Sequence, residues 1–150
     1  MAVKISFRDG KLEDLEFLFY LKTQTLKEYV AQIWGWDEDF QYDRHRHSVN
    51  PEVYTIIQAS GEDIGCFAVE IHPDKLFLSV IEILPAFQNQ GVGSRLIRDL
   101  IKQGEQEGKN IELQVLKVNQ RAFQLYRSLG FATTNETDTH YQMLYSVNKS

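Results

Sequence analysis

The sequence has a single cysteine, Cys66, and no apolar run that approaches the ~20 residues of a membrane-spanning helix. One cysteine excludes an intrachain disulfide and a zinc site built on thiolates, and we interpret Cys66 as a small buried residue of a strand. The N-terminus also lacks the basic and apolar regions of a signal peptide. We therefore expect a cytoplasmic protein with no membrane partner.

The sequence also has fewer basic than acidic residues. Its 16 Lys and Arg and 21 Asp and Glu give a formal net charge of −5. This balance opposes the phosphate-neutralising surface that nucleic acids require and suits a cationic substrate better. The pair His45 and His47 cannot converge from one helical face at a spacing of two residues. We predict that the pair is solvated and that no metal is bound.

The composition and length fit one domain over residues 1–150. The sequence is 43% hydrophobic and 25% charged, which is ordinary for a soluble globular chain of this length. Apolar periodicity and turn residues predict the order β-α-α-β-β-β-α-β-α-β-β. The fold class is α+β, with a mixed, mostly antiparallel sheet and helices on both faces. Predicted strands cover 3–8, 53–59, 64–71, 76–83, 111–116, 131–135 and 140–147, and predicted helices cover 12–30, 37–47, the stretch from the glycine loop to 108, and 119–129.

A glycine loop follows the strand that ends near Leu84 and opens directly into a helical pattern. It reads Gln88-Asn89-Gln90-Gly91-Val92-Gly93-Ser94. The first turn of a helix has backbone N–H groups without intrahelical partners and a partial positive charge, and glycine lets an anion approach the backbone. The pattern predicts a phosphate site, while the alternative is that the glycines only form a tight turn.

A second motif reads Asn119-x-x-Ala122-x-x-Leu125-Tyr126, followed by Leu129-Gly130-Phe131. With the glycine loop it resembles the GNAT superfamily of acyl-CoA-dependent N-acetyltransferases, and the element order agrees with that family from Val3 to Val147. A dinucleotide-binding oxidoreductase is excluded, because its fingerprint requires Gly-x-Gly-x-x-Gly after the first strand of a βαβ unit.

The resemblance implies acetyl-CoA as cosubstrate, with the loop residues Gln88 to Ser94 and Asn119 binding the cofactor. It implies that the backbone of Ile81, Glu82 and Ile83 pairs with the pantetheine arm like an added strand. Ile83 N–H is our candidate to polarise the thioester carbonyl. Tyr126 stands where the family places the general acid that protonates the CoA thiolate and also contacts the cofactor.

The resemblance leaves the general base open. Some family members have a glutamate five residues before the motif asparagine, but this chain has Gln114 there. An amine with a pKa near ~10 must lose a proton before it attacks, so another group must accept it. Glu82, Glu112 and His140 are the candidates, and their alternative roles are those of ordinary strand residues.

The resemblance places the acceptor pocket in the first helices and the last strands. Two tryptophans beside the carboxylates of Asp37 and Glu38 could hold a cationic amine, or the tryptophans could belong to the core or to a homodimer interface while the acids cap a helix. We therefore expect an N-acetyltransferase that acts on a small amine, an amino acid or a peptide N-terminus. A non-catalytic acyl-CoA-binding module is the alternative. Candidate acceptor residues are Tyr29, Trp34, Trp36, Asp37, His140 and Tyr141.

Overall fold

The computed structural model describes residues 4–147, which form seven strands and four helices in the predicted order. Val3, where the first strand was predicted to begin, lies outside the described residues. The strands are β1 (Ile5–Asp9), β2 (Thr55–Ala59), β3 (Glu62–Ile71), β4 (Lys75–Ile83), β5 (Asn110–Leu116), β6 (Ala132–Glu136) and β7 (His140–Tyr145). The helices are α1 (Leu15–Trp34), α2 (Glu38–Ser48), α3 (Val92–Glu107) and α4 (Gln120–Ser128).

The strands form one mixed sheet in the order β1-β2-β3-β4-β5-β7-β6. The pairs β1 with β2, β2 with β3, β5 with β7 and β6 with β7 are antiparallel, whereas β4 and β5 are parallel. A parallel pair needs a crossover between its strands, and α3 supplies it. The predicted fold class is confirmed.

The chain divides into two compact units. The first takes in the described residues up to Ala68 together with Val80–Gln90, and the second takes in Val69–Ser79 and the residues from Gly91 onward. Each unit has its own buried apolar residues, supplied by one helix face and by alternate strand positions. In the first unit they include Leu18, Leu21, Ile56, Ile64 and Cys66, and in the second Leu76, Leu96, Ile97, Ile111, Leu113 and Met143.

An ion network joins β1, the start of α1 and β3 in the first unit. The Arg8 guanidinium donates to both carboxylate oxygens of Asp14, at 2.8 and 2.9 Å, and to Asp63 Oδ2 at 2.8 Å. These bonds from Arg8 hold the pKa of Asp14 below its usual range. Asp14 is therefore anchored as the chain enters α1.

The prediction that His45 is solvated is wrong. His45 is only 3% exposed, its ring packs edge-on against Phe19 with centroids 5.2 Å apart, and Nε2 lies 2.9 Å from Leu15 O. The periodicity of a polar helix did not reveal which face of α2 packs on α1. His47, on the other side of α2, is exposed as predicted.

Several element boundaries also differ from the prediction, among them the start of β2 and the end of α1. Pro51–Val53 form a 3-10 turn, so β2 begins at Thr55 rather than at Val53. Helix α1 continues four residues beyond Val30 to Trp34 and ends at Gly35, whose φ of 78° favours glycine. Within residues 4–147, no helix is both long and apolar enough to cross a membrane.

Candidate active site

The glycine loop lies between β4 and α3, and the division between the two units falls after its residue Gln90. Gly91 is the N-cap of α3 with φ 81° and ψ 3°, a left-handed conformation that favours glycine. Gly93 lies inside α3 and is not among the residues with positive φ, so a tight turn does not account for it. The predicted succession of strand, turn and helix is confirmed.

The first turn of α3 has backbone N–H groups that precede its first intrahelical hydrogen bond. Arg95 N–H donates to Gly91 O at 3.0 Å, so the N–H groups of Val92, Gly93 and Ser94 precede the helical ladder. Gly91 has no side chain to cap them, and α3 is long enough, at 16 residues, to develop a full macrodipole. This helix end has the donors and the sign of charge that suit a pyrophosphate.

The end of β4 is held in the first unit by backbone contacts. Leu84 N–H donates to Ile64 O at 2.8 Å, and a Cβ on Gly65 would lie only 2.5 Å from Glu82 O. The side-chain amide of Gln88 donates to Ile83 O at 2.7 Å. The backbone of the predicted pantetheine strand is thus fixed from β3 and from the glycine loop.

Glu82 has the most perturbed carboxylate in this part of the molecule. Burial raises its pKa to about 7, although the charge of Lys22 and the thiol of Cys66 act in the opposite direction. The Cys66 thiol donates to Glu82 Oε1 with a sulfur to oxygen distance of 3.8 Å. A carboxylate with this pKa can accept a proton near neutral pH.

The other two base candidates lie in the second unit in ordinary surroundings. Both carboxylate oxygens of Glu112 lie 3.3 Å from Lys75 Nζ on the neighbouring strand. His140 Nδ1 lies 2.8 Å from Thr139 Oγ1 at the start of β7. Gln114 is exposed on β5, opposite Gln142. Of the three candidates, Glu82 has the surroundings that tune a carboxylate toward base catalysis.

Helix α4 carries Tyr126 in the second unit. Asn119 Oδ1 accepts the backbone N–H of Ala122 at 3.2 Å, so the predicted helix cap is confirmed. Tyr126 is 7% exposed, with its ring centroid 6.1 Å from that of Phe131. Burial raises the Tyr126 pKa to about 12, so the phenol stays protonated throughout the physiological range.

The acceptor candidates of the first unit lie at the junction of α1 and α2. Trp34 is 60% exposed, so the interpretation that it belongs to the core is wrong. Asp37 caps α2, with Oδ1 accepting Phe40 N–H at 3.0 Å. Tyr29 is half-buried on α1.

Trp36 already has a cation on its ring. Lys27 Nζ lies 5.8 Å from the ring centroid, and Trp36 Nε1 donates to Glu38 Oε2 at 2.6 Å. Lys27 also lies 3.7 Å from that carboxylate oxygen. The cation–π and ion-pair contacts that the sequence suggested for a substrate amine are therefore made by a lysine of the chain itself.

The acceptor candidates of the second unit are adjacent on β7. The Tyr141 ring lies 4.8 Å from the ring of Phe123, and Lys117 Nζ lies 5.2 Å from the Tyr141 centroid. Lys117 is also paired with Glu136 at 2.8 Å. Tyr141 thus lies beside Phe123 and the ion-paired Lys117, whereas His140, one residue earlier on the strand, faces the opposite side of the sheet.

The residues around Glu82 were not identified from the sequence as a functional group. Lys22 of α1, Tyr54 just before β2 and Cys66 of β3 are far apart in the sequence, and sequence periodicity marks only their burial. Burial raises the pKa of Tyr54 to about 12, so Tyr54 is neutral beside the carboxylate. Among residues 4–147, no group of three His, Cys, Asp or Glu side chains is arranged to hold a metal ion.

The sequence pattern of the family described as "Acetyltransferase (GNAT) family" matches residues 15–131. This span covers most of the chain and includes both the glycine loop and the Asn119 to Phe131 motif. The chain belongs to the GNAT acetyltransferase family, as the sequence motifs predicted.

Comparison with individual proteins agrees with this assignment. A Bacillus subtilis (strain 168) protein that carries the name "Putative ribosomal protein bS18-alanine N-acetyltransferase" is 25% identical over 132 residues, which are 87% of this chain and 82% of that protein. The PaiA N-acetyltransferase from Thermoplasma acidophilum, crystallised with coenzyme A, has a TM-score of 0.77 at 20% identity, over 95% of this chain and 99% of that one. The ribosomal-protein-S18-alanine N-acetyltransferase from Escherichia coli has a TM-score of 0.68 at 21% identity, over 98% and 96%. The two structures establish the fold.

Proposed function

We propose that this protein transfers the acetyl group of acetyl-CoA to a primary amine that attacks the thioester directly in a ternary complex. The observation that carries the proposal is the family match over residues 15–131, which includes both sequence motifs. Acetyl-CoA supplies an acetyl group activated as a thioester. The protein supplies the binding surfaces, a base and a hydrogen-bond donor for the leaving group.

The residues of the glycine loop fit a CoA pyrophosphate. The N–H groups of Val92, Gly93 and Ser94 would bind it, and a Cβ added at Gly91 has no neighbour within 4 Å, so the protein leaves space there. Gln88, Asn89 and Gln90 lead into this helix end. The backbone of Ile81, Glu82 and Ile83 would hold the pantetheine arm, and Asn119 would contact the cofactor besides capping α4.

Glu82 is the proposed general base. Its raised pKa of about 7 lets the carboxylate accept a proton from a substrate ammonium near neutral pH. Glu112 is already paired with Lys75, and His140 is bonded to Thr139, so neither has comparable support. Gln114 stands where some family members have a glutamate, so Glu82 would supply the base that this motif lacks. A non-catalytic acyl-CoA-binding module is the alternative.

Ile83 N–H and Tyr126 are the proposed donors. Ile83 N–H would donate to the carbonyl oxygen as negative charge develops there, and Tyr126 O–H would donate its proton to the thiolate as the carbon–sulfur bond breaks. A phenol pKa of about 12 lies well above the ~8.5 of a free thiol. Complete transfer therefore requires the same buried surroundings to raise the pKa of the thiol as well.

The proposed acceptor is a peptide N-terminus, with alanine as the first residue to test. The similar proteins from Bacillus subtilis and Escherichia coli are named for N-acetylation of alanine in a ribosomal protein. The formal net charge of −5 suits a cationic acceptor. Small amines and free amino acids are the alternative acceptors.

A CoA-release assay tests the proposal. Acetyl-CoA is mixed with the protein and with alanine-initiated basic peptides, free amino acids or polyamines, and mass spectrometry locates the acetyl group. We expect acetylated peptide α-amine, with loss of turnover in Glu82→Gln and turnover within about threefold of wild type in Glu112→Gln, since Glu112 is paired with Lys75 and a neutral amide can still accept a hydrogen bond from it. Tight acetyl-CoA binding without turnover on any acceptor would favour the binding module instead.

A further inference from the structure

The carboxylate of Glu82 meets a buried thiol on the neighbouring strand. Cys66 Sγ lies 3.8 Å from Glu82 Oε1, and Cys66 is 0% exposed. Burial and the adjacent carboxylate both raise the pKa of the Cys66 thiol. The sulfur therefore keeps its proton and acts as the donor, while the carboxylate accepts.

The backbone fixes this contact. Leu84 N–H donates to Ile64 O at 2.8 Å, and Gly65 lies so close to Glu82 O that an added Cβ would stand 2.5 Å from it. Cys66 follows directly on β3, so its side chain reaches the carboxylate without a long, flexible stem. The thiol is separated from the backbone by a single side-chain torsion, so holding the donor in place costs little side-chain entropy.

The sulfur is also fixed from its other side. Cys66 packs in a buried cluster with Leu18, Leu21 and Ile56. Close packing of this kind leaves few alternative rotamers, so the thiol can act as a fixed donor. The other charged or titratable groups that act on Glu82 or Cys66 are Lys22 of α1 and Tyr54, just before β2.

We propose that Cys66 is a positioning residue whose thiol holds the Glu82 carboxylate in the orientation in which it accepts the proton of the substrate amine. The inference rests on the proposed role of Glu82 as base. It differs from the interpretation of Cys66 as a packing residue alone, because a packing role does not depend on a proton donor at this position.

Two substitutions separate the roles. Cys66→Ser keeps a donor of nearly the same size, whereas Cys66→Ala removes it. Loss of a hydrogen bond to the ionised form raises the pKa of a carboxylate, so the acidic limb of kcat/KM in Cys66→Ala should move to higher pH. We expect kcat/KM to fall about 2- to 10-fold, the range for one modest hydrogen bond, and to return toward the wild-type value in Cys66→Ser.

Ile64→Val is the matched packing control. Ile64 is fully buried on the same strand, and its backbone carbonyl, which binds Leu84, is unchanged by the substitution. We expect Ile64→Val to lower the unfolding temperature without moving the acidic limb of kcat/KM. If the acidic limb of kcat/KM lies at the same pH in wild type, Cys66→Ala and Cys66→Ser, the positioning role is overturned.

The infrared S–H stretching band provides a readout that does not need turnover. Cys66 is the only cysteine in the sequence, so this band reports one thiol. We expect the band to shift in Glu82→Gln and to follow the titration of Glu82 in the wild-type protein. A band that is the same in both proteins at every pH would contradict the contact. If wild type acetylates no amine while the band titrates, the proposed function fails and the hydrogen bond stands.

Discussion

The side-chain amide of Gln88 donates a hydrogen bond to the backbone carbonyl oxygen of Ile83, with a nitrogen to oxygen distance of 2.7 Å. The first residue of the glycine loop is thereby tied to the last residue of β4. The bond holds together two segments that the family resemblance assigns to different parts of acetyl-CoA, the pyrophosphate and the pantetheine arm.

Gln88→Ala should weaken acetyl-CoA binding by releasing this tie. We expect KM for acetyl-CoA to rise about 2- to 10-fold, the equivalent of one lost hydrogen bond, with kcat changed less. Gln120→Ala is the control, because Gln120 Nε2 makes a similar bond of 2.8 Å to Lys117 O outside the loop. Equal KM values in the two variants would exclude a role for the Gln88 bond in cofactor binding.

Gly91→Ala and Gly108→Ala form a matched pair at the two ends of α3. Both glycines have positive φ, 81° and 68°, and an added Cβ meets nothing within 4 Å at either site. Each substitution should therefore cost about 1 kcal/mol of unfolding free energy through backbone strain. Only Gly91→Ala should also raise the Kd of acetyl-CoA in calorimetric titrations. A similar rise in Gly108→Ala would assign the loss to helix strain rather than to the pyrophosphate site.

Tyr126→Phe removes the phenolic proton and keeps the ring packed near Phe131. We expect kcat to fall roughly 10- to 10,000-fold with little change in acetyl-CoA affinity, as loss of a general acid predicts. Tyr20→Phe, at a residue that is 51% exposed on α1, serves as the control. Unchanged turnover in Tyr126→Phe would remove this residue from the mechanism.

His45 should make stability depend on pH. Burial lowers its folded-state pKa, with the charge of Lys22 acting in the same direction, while the unfolded chain keeps the ordinary value near ~6.5. As pH falls through that value the unfolded state binds a proton that the folded state does not, so this stabilisation is present above about pH 6.5 and is lost below it. The slope contributed by this one group is at most about 1.4 kcal/mol per pH unit.

Urea unfolding between about pH 5 and 8 measures this slope. We expect the stability of wild type relative to His45→Gln to grow as pH rises through about 6.5, and His47→Gln to follow wild type, because the side chain of His47 is 73% exposed. Glu82, whose folded-state pKa is raised to about 7, gives a slope of the opposite sign in all three proteins and cancels in this difference. A difference between wild type and His45→Gln that does not change with pH would place the responsible group elsewhere.

Local sequence signals predicted most of the elements. Asn119 begins α4 and Gly108 ends α3 where capping chemistry requires them, and the glycine loop joins strand to helix as expected. His45 was missed because α2 is polar over most of its length and has no apolar stripe to indicate its buried face. The sequence did not decide whether Trp34 is buried or exposed, because an aromatic residue at a helix end suits a core and a surface equally well.

The sequence by itself determined the order of the elements, the family and the segments that hold acetyl-CoA in that family, since these depend on motifs whose residues are close together in the chain. Only the tertiary structure decided that Cys66 lies against Glu82. The turn between β3 and β4 predicts that the two strands are neighbours, but a shift of one residue in register would turn either side chain to the opposite face of the sheet. The close approach of Gly65 to Glu82 O fixes that register, and with it the surroundings of the proposed base.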